Sequence, residues 1–168
     1  MSQFELASID EQFVPLLKRF NCGEPSMDGF LKQWALEYDK IGEGKTFLLH
    51  DKAENLIVGY FTLKCSSISI FDEEMDEESR VLPAIEISRF AIDNKYQDMH
   101  IGTTVFAAVI HLINKLKEEF IGVRLITLFA IPNPKVIHLY KNFEFGDDSE
   151  GMEISKENPE LVFMYRRI

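Results

Sequence analysis

The stretch AIEISRFAIDNKYQDMHIGTT, residues 84–104, decides the fold. Its first part, residues 84–92, is rich in isoleucine, alanine and phenylalanine and predicts a β-strand. A polar loop over residues 93–100 follows, and a helix is predicted from Ile101 onward. A junction of this kind points unpaired backbone N–H groups and the positive end of a helix dipole at one place, which favours binding of an anion.

The segments after this junction predict a βαβ unit. Apolar residues at helical spacing continue to Phe120, and the run over residues 125–131 has the length of a buried strand. Pro134 suits the first turn of another helix, because the amide there has no partner within the helix. If the two strands are parallel neighbours, the residues after the second strand, Asn133 and Tyr140, lie near the loop over 93–100.

The amino-terminal half predicts a strand over residues 4–8, a helical turn over 13–20, a helix over 27–42 and two strands over 45–50 and 56–67. Ser26 is the expected N-cap of the helix. Five residues of this helix are predicted to form one buried face: Met27, Phe30, Leu31, Trp34 and Tyr38. With a last strand over 161–166, the order of elements predicts an α/β or α+β sheet with helices on its faces.

The length of 168 residues predicts one domain over 1–168, and 46% hydrophobic residues argue against disorder. No apolar run is long enough for a transmembrane helix, and the start has no signal-peptide pattern. Cys22 and Cys65 have no metal-binding spacing and predict two reduced thiols, hence a cytoplasmic protein. No histidine or cysteine spacing indicates a metal site.

The net charge is −10, from 28 acidic and 18 basic residues. Such a charge repels nucleic acid at long range and suits a cationic substrate, although plain solubility explains it as well. Six of the acids are concentrated in DEEMDEESR, residues 72–80, which predicts a solvated loop or a short surface helix.

Three motifs in this order resemble the GNAT N-acetyltransferases: RFAID at 89–93, YQDMHIG at 96–102 and NPKVIHLYKNFEF at 133–145. The family pattern is a strand, then Q/R-x-x-G-x-G/A opening a helix, then Asn and Tyr seven residues apart with G-F shortly after. Upstream, FNCGEPSMDGFLKQWA at 20–35, TFLLH at 46–50 and VGYFTLKCSSIS at 58–69 are similar to the branch that includes toxins acetylating charged tRNA.

This resemblance implies a single GNAT-like domain with a mixed, partly splayed β-sheet and helices on both faces. It implies acetyl-CoA as co-substrate, no metal, and a coenzyme in the gap between strands 84–92 and 125–131. Tyr140 would protonate the departing thiolate. The residues implied in coenzyme binding are Gln97, Asp98, Met99, His100, Ile101, Gly102 and Thr103 for the pyrophosphate, and Phe90, Ala91, Ile92 and Asn133 for the pantetheine arm.

The sequence departs from the family pattern at three glycines. Glycine is usual where His100 stands and, in this branch, often where Asp98 stands, and G-F is replaced by Glu144-Phe145. Since glycine permits close backbone approach and unusual φ, we expect His100 to fit without either and Asp98 to add a charge near a phosphate site. His100 contacts a phosphate or caps the helix.

Glu86 is a carboxylate inside an otherwise apolar strand, on the same face as Ser88. Partial burial raises the pKa of a carboxyl toward the range of a useful base, so Glu86 is a candidate general base. The alternatives are a residue at the rim of the sheet or an ion-pair partner of Arg89 or Arg124.

We therefore expect direct transfer of acetyl from acetyl-CoA to a primary amine of a small or peptidyl cationic acceptor. The acids at 72–80 are expected to border the acceptor side. A toxin-type acetyltransferase of aminoacyl-tRNA and a non-catalytic CoA-binding domain are the alternatives. Nucleic acid is disfavoured by charge but tRNA is not excluded, a membrane partner is not expected, and a homodimer is left open.

Overall fold

The computed structural model describes residues 4–70, 80–156 and 158–168. The chain divides into two compact units, each made of two segments. The first unit is Met1–Lys64 with Ile87–Val105, and the second is Cys65–Glu86 with Phe106–Ile168. The single domain predicted over residues 1–168 stays a prediction.

Within the described residues the chain forms five helices, seven strands and two short 3₁₀ turns, Glu11–Phe13 and Asn94–Tyr96. The elements are β1 (Phe4–Ser8), α1 (Val14–Leu17), α2 (Pro25–Gln33), α3 (Ala35–Ile41), β2 (Lys45–Asp51), β3 (Leu56–Ile70), β4 (Arg80–Ile92), α4 (Ile101–Glu119), β5 (Leu125–Ala130), α5 (Pro134–Asn142), β6 (Met152–Glu153) and β7 (Val162–Arg167).

The strands form one mixed, open sheet in the order β1-β2-β3-β4-β5-β7, with β6 paired to β3. Strands β1–β2, β2–β3 and β5–β7 are antiparallel, whereas β4 and β5 are parallel. The parallel pairing starts at Ala84 and ends where Glu86 pairs with Thr127, which fits the expected partly splayed sheet. The predicted α/β fold class is confirmed.

The first unit has its core beneath α2. Leu31 and Phe20 are buried there against Tyr60 of β3, and the Tyr60 hydroxyl donates a hydrogen bond to the Met27 carbonyl at 2.8 Å. Ala91 of β4 belongs to the same cluster. The core thereby fixes the strand that leads into the polar loop.

The second unit has a separate core on β4 and β5. Leu82, Leu125 and Phe163 are buried together there. Phe106 of α4 is fully buried and contacts Phe143 at 5.0 Å between ring centroids. Burial of large aromatic side chains supplies much of the stability of such a core.

The predicted helix over 27–42 is wrong in three respects. It begins earlier, because Pro25 occupies the first turn and the Glu24 side chain, not Ser26, caps it. It breaks at Trp34, whose φ of −121° is not helical. Trp34 and Tyr38 are exposed, at 53% and 38%, although both were expected on the buried face. Met27 is half-buried, and Phe30 and Leu31 are buried as predicted.

Other boundaries also differ. Phe120 was expected on the buried face of α4, but the helix ends at Glu119 and Phe120 is 71% exposed. Strand β6 was not predicted. Of the acidic stretch 72–80, residues 72–79 lie outside the described residues, and Arg80 begins β4. Within the described ranges, no helix combines the length and hydropathy needed to cross a membrane.

Candidate active site

The loop after β4 is fixed by hydrogen bonds within the first unit. The Asp93 amide donates to the Val58 carbonyl at 2.8 Å, and the Asp93 carboxylate accepts from the Asn21 amide at 2.8 Å. Gln97 donates through its side-chain amide to the carbonyls of Ile92 at 2.8 Å and Cys22 at 2.9 Å. The Gln97 side chain therefore holds the loop in place, and only its backbone remains for the predicted pyrophosphate site.

Asp98 and His100 both adopt left-handed backbone conformations, with φ of 59° and 58°. The expectation that His100 fits without an unusual φ is wrong. The chain keeps the backbone that glycine would provide and places L-residues in it, at a cost of roughly 1–2 kcal/mol each. Met99 between them does not have a positive φ. Alternating residues of this kind turn successive N–H groups toward one side and form a concave anion site.

The amides of this loop and of the first turn of α4 are available as donors. Among the described residues, those from 98 to 103 donate no backbone hydrogen bond, whereas the Thr104 amide donates to the His100 carbonyl at 3.2 Å. Asp98, Met99, His100 and Thr103 are exposed, and Ile101 and Gly102 are half-buried. His100 thus starts the helix through its carbonyl, and the free donors precede Thr104. This geometry suits a phosphate group.

The strand residues predicted to contact the pantetheine arm lie against β3. Gly59 has no room for a side chain, because a Cβ there would lie 2.6 Å from Ile92 Cδ1 and 2.8 Å from the Ala91 carbonyl. The glycine lets β4 approach closely at this point. The Ile92 carbonyl already accepts from Gln97. Ala91 and Ile92 are buried and Phe90 is half-buried. These three residues therefore belong to a packed part of strand β4 and not to a loop.

Glu86 lies in the second unit, in β4, and is 8% exposed. Its predicted place on a strand is confirmed, and it pairs across the parallel ladder with Thr127. Among the described residues, no hydrogen-bond partner is found for the buried Thr127 hydroxyl. Arg89, one proposed partner of Glu86, instead has its guanidinium over the Phe30 ring and donates to the Ser88 carbonyl. The role of Glu86 as a base stays a prediction.

Asn133 caps α5. Its side-chain Oδ1 accepts a hydrogen bond from the Lys135 amide at 2.9 Å. Pro134 follows in the first turn, as expected from the sequence. The cap uses the acceptor atom of the amide and leaves its NH₂ donors as a separate group for the predicted bond to the coenzyme.

Tyr140 is held in an aromatic setting within the second unit. It is 7% exposed, and its ring lies 5.1 Å from that of Phe106 and 6.2 Å from that of Phe145. Burial raises the pKa of Tyr140 well above its usual range. The hydroxyl therefore keeps its proton at neutral pH, as a proton donor to a thiolate must.

The chain after Tyr140 forms a Schellman motif. The Phe145 amide donates to the Tyr140 carbonyl at 3.1 Å, and the Glu144 amide donates to the Lys141 carbonyl at 3.0 Å. Glu144 takes the left-handed position with φ of 65°. Our sequence reasoning missed this role, although the G-F of the family pattern at 144–145 carries the signal.

The two cysteines lie among the described residues and form no disulfide. Burial raises the pKa of the Cys22 thiol to about 12, which keeps it protonated. Cys65 is exposed and unpaired. No group of three or more potential metal ligands occurs in the part of the chain that the structure describes.

The chain is similar to proteins of known activity or known structure. No family model matches the chain. A curated relative, a tRNA-acetylating toxin of Mycobacterium tuberculosis (strain ATCC 25618 / H37Rv), is 27% identical over 147 residues, which are 83% of this chain and 80% of the relative. The solved structure of AtaTR bound with acetyl-CoA is 21% identical, with a TM-score of 0.74 over 99% of this chain and 94% of that one. AtaT complexed with acetyl-methionyl-tRNAfMet is 20% identical, with a TM-score of 0.72 over 95% and 93% of the two chains.

The fold is that of the GNAT-type toxins. The predicted resemblance to GNAT acetyltransferases, in the branch with toxins, is confirmed, and so is the predicted enzyme class. Acetyl-CoA, the predicted co-substrate, is bound in one of these structures. The expected small or peptidyl acceptor finds no support, because the curated relative acetylates tRNA.

Proposed function

We propose that this protein transfers acetyl from acetyl-CoA to the α-amino group of an amino acid carried by tRNA. The observation that carries the proposal is the 27% identity to a tRNA-acetylating toxin along 83% of the chain. The similar structure of AtaT, which was solved in complex with acetyl-methionyl-tRNAfMet, supports the proposal. A cytoplasmic location, expected from two unpaired cysteines, agrees with a charged-tRNA substrate.

The proposed reaction is a direct transfer of the acetyl group. Glu86, or a water that it holds, takes a proton from the ammonium group, and the free amine attacks the thioester carbonyl carbon. The carbon–sulfur bond breaks, the nitrogen–acyl bond forms, and Tyr140 gives its proton to the departing thiolate. Backbone donors near residues 90–92 polarise the carbonyl. The amides of residues 98–103 bind the pyrophosphate, and Asn133 bonds the pantetheine arm.

A direct test offers both acceptor classes to the enzyme under the same conditions. A pool of charged tRNA and a panel of polyamines and lysyl peptides are incubated with radiolabelled acetyl-CoA. We expect label on the aminoacyl group of tRNA, identified by mass spectrometry after nuclease digestion. Label on the amine panel alone would establish the small-acceptor alternative.

The net charge of the protein favours the alternative, a small cationic acceptor. The net charge of −10 attracts cations and repels tRNA. A non-catalytic CoA-binding protein, the third candidate, would bind acetyl-CoA and release no thiol with either acceptor class. Thiol release therefore separates both enzymes from a binder.

A further inference from the structure

Three aromatic side chains form a partly exposed cluster on α2 and α3. The Trp34 and Tyr38 ring centroids lie 6.4 Å apart, and Tyr38 packs edge-on against Phe30 at 5.6 Å. We call Phe30, Trp34 and Tyr38 the aromatic platform. Phe30 is its buried base, whereas Trp34 and Tyr38 present their rings to solvent. Trp34 lies at the break between the two helices, as the C-cap of α2 and the N-cap of α3.

A cation lies on the same cluster. The Arg89 guanidinium carbon is 4.7 Å from the centroid of the Phe30 ring, and its Nη1 donates to the Ser88 carbonyl at 2.7 Å. Arg89 is half-buried, and it takes part in none of the ion pairs found among the described residues. A half-buried guanidinium whose carboxylate partner is not among the described residues keeps N–H donors for an anionic ligand.

The aromatic platform and Arg89 together indicate which kind of ligand this surface binds. An aliphatic helix or a lipid chain would cover the rings and leave the charge of Arg89 unpaired. A nucleotide offers both parts, since its base stacks on an aromatic ring and its phosphate accepts the forked hydrogen bonds of a guanidinium. Arg89 lies 4.7 Å from the Phe30 ring, and the Phe30 ring lies 5.6 Å from that of Tyr38, so the cation and the exposed rings belong to one cluster.

We propose that the aromatic platform and Arg89 bind an unpaired nucleotide of the tRNA acceptor, with the base on Trp34 and Tyr38 and the phosphate on Arg89. This inference rests on the proposed function and adds the residues that select single-stranded RNA. Stacking of one base is expected to change the Kd about tenfold or more. The platform thus offsets the unfavourable net charge through short-range contacts.

Trp34 is the single tryptophan of the chain, so its fluorescence reports on the platform directly. The probes are a single-stranded RNA that ends in CCA and carries no amino acid, and a blunt RNA duplex of equal length. We expect saturable quenching by the single strand and little by the duplex. Trp34→Ala should raise the Kd of labelled single strand about tenfold, while Trp34→Phe keeps it within about threefold.

Arg89 is tested by the salt dependence of the same binding. Arg89→Gln should weaken binding and reduce the slope of log K against log salt by about one, because one phosphate contact is lost. Arg89→Lys should keep the charge and the slope of log K against log salt but lose the forked hydrogen bonds of the guanidinium. This variant tests Arg89 if the glutamine variant folds poorly. Phe120→Ala, an exposed aromatic of the second unit, is the matched control and should bind as wild type does.

The platform and the proposed function fail in different ways. If wild type acetylates charged tRNA and Trp34→Ala keeps both the Kd for RNA and the KM for tRNA, the platform is wrong and the function stands. If wild type acetylates no tRNA, the function fails, and quenching by single-stranded RNA alone decides the platform. A shift of Trp34 emission with protein concentration in the absence of RNA would assign this surface to a second copy and overturn the proposal.

Discussion

At the scale of single residues, Tyr140 has the setting that proton donation to sulfur requires. Burial keeps the phenol neutral, and contacts with Phe106 and Phe145 fix its ring. We expect Tyr140→Phe to lower kcat by about 10²–10⁴-fold and to leave the Kd of acetyl-CoA unchanged, because the proton is needed only as the thiolate forms. Rapid-quench kinetics and calorimetry measure the two quantities.

Tyr165→Phe is the control for this substitution, since Tyr165 lies on β7 of the same unit and has no assigned role. It should retain the wild-type kcat. Equal turnover of Tyr140→Phe and wild type, with the chemical step shown to limit the rate, would exclude Tyr140 as the acid.

The pH dependence of Tyr140 has a definite sign. Its pKa is raised in the folded protein, so the phenol stays protonated beyond the usual value of about 10. Stabilisation by the neutral form is therefore complete below about pH 10 and is lost as the pH rises further. We expect kcat to show no alkaline decline from this group between pH 7 and 9. A decline in that range that disappears in Tyr140→Phe would contradict the assignment.

His100 and Asp98 carry strain that glycine would remove. We expect His100→Gly to be more stable than His100→Ala by about 1 kcal/mol, because alanine keeps the left-handed φ and glycine does not resist it. Its affinity for acetyl-CoA should equal or exceed that of wild type, since the site consists of backbone donors. Urea unfolding and calorimetry test the two statements.

Thr103→Gly provides the contrast, because Thr103 lies in the first turn of α4 with ordinary helical φ. Glycine should destabilise the protein there, by up to about 1 kcal/mol. Loss of coenzyme binding in His100→Gly would show that the imidazole, rather than the backbone, holds the phosphate.

At the scale of elements, the Schellman motif at the end of α5 uses the Tyr140 carbonyl as a hydrogen-bond acceptor. Glu144 occupies the left-handed position of the Schellman motif, and its carboxylate forms a 3.0 Å ion pair with Arg166. Glu144→Gly should exceed Glu144→Ala in stability by about 1 kcal/mol, since both lose the exposed ion pair and only glycine relieves the strain. Thermal unfolding of the two variants measures the difference. Equal melting temperatures would mean that the backbone relaxes without strain.

Periodicity and turn chemistry predicted most elements, and their failures have physical causes. The strand at β4, the start of α4 at Ile101 and the proline start of α5 were predicted because each has a local signal. The break at Trp34 has none, since the helical spacing of apolar residues continues through it. The left-handed Asp98 and His100 were missed because side chains that disfavour this conformation adopt it under tertiary constraint.

The candidate site was predictable in its backbone and less so in its side chains. The position of the amides at 98–103 follows from the strand–loop–helix order alone. The cap formed by Asn133 and the aromatic contacts of Tyr140 depend on packing that the spacing does not reveal. Arg89 was considered a partner of Glu86, whereas it stacks on Phe30, because residues of β4 alternate between the two faces of the sheet.

At the scale of the whole molecule, the two acceptor classes differ in how they respond to the negative charge of the protein. Six of the acids lie in the short stretch 72–78, and removing them from the net charge of −10 leaves −4. The objection to a tRNA substrate therefore rests largely on one segment, whose residues are outside the described structure. Neutralising these acids to asparagine and glutamine changes the long-range field that either substrate meets.

The two acceptor classes respond to this change with opposite sign. For tRNA we expect the KM to fall about threefold or more at low salt, because repulsion of the polyanion is reduced. For a cationic amine the KM would rise by a similar factor. Both effects should vanish above about 0.5 M salt, where screening shortens the reach of surface charge to about 4 Å.

A second variant separates net charge from its location. It neutralises six exposed acids of the second unit: Glu118, Glu119, Asp148, Glu150, Glu153 and Glu160. If the stretch 72–78 borders the acceptor, as expected from the sequence, its neutralisation shifts the KM more than that of the control at the same net charge. Equal shifts would mean that only the overall field acts. A rise in the KM for tRNA on neutralising 72–78 would contradict the charge argument, because fewer negative charges can only ease the approach of a polyanion.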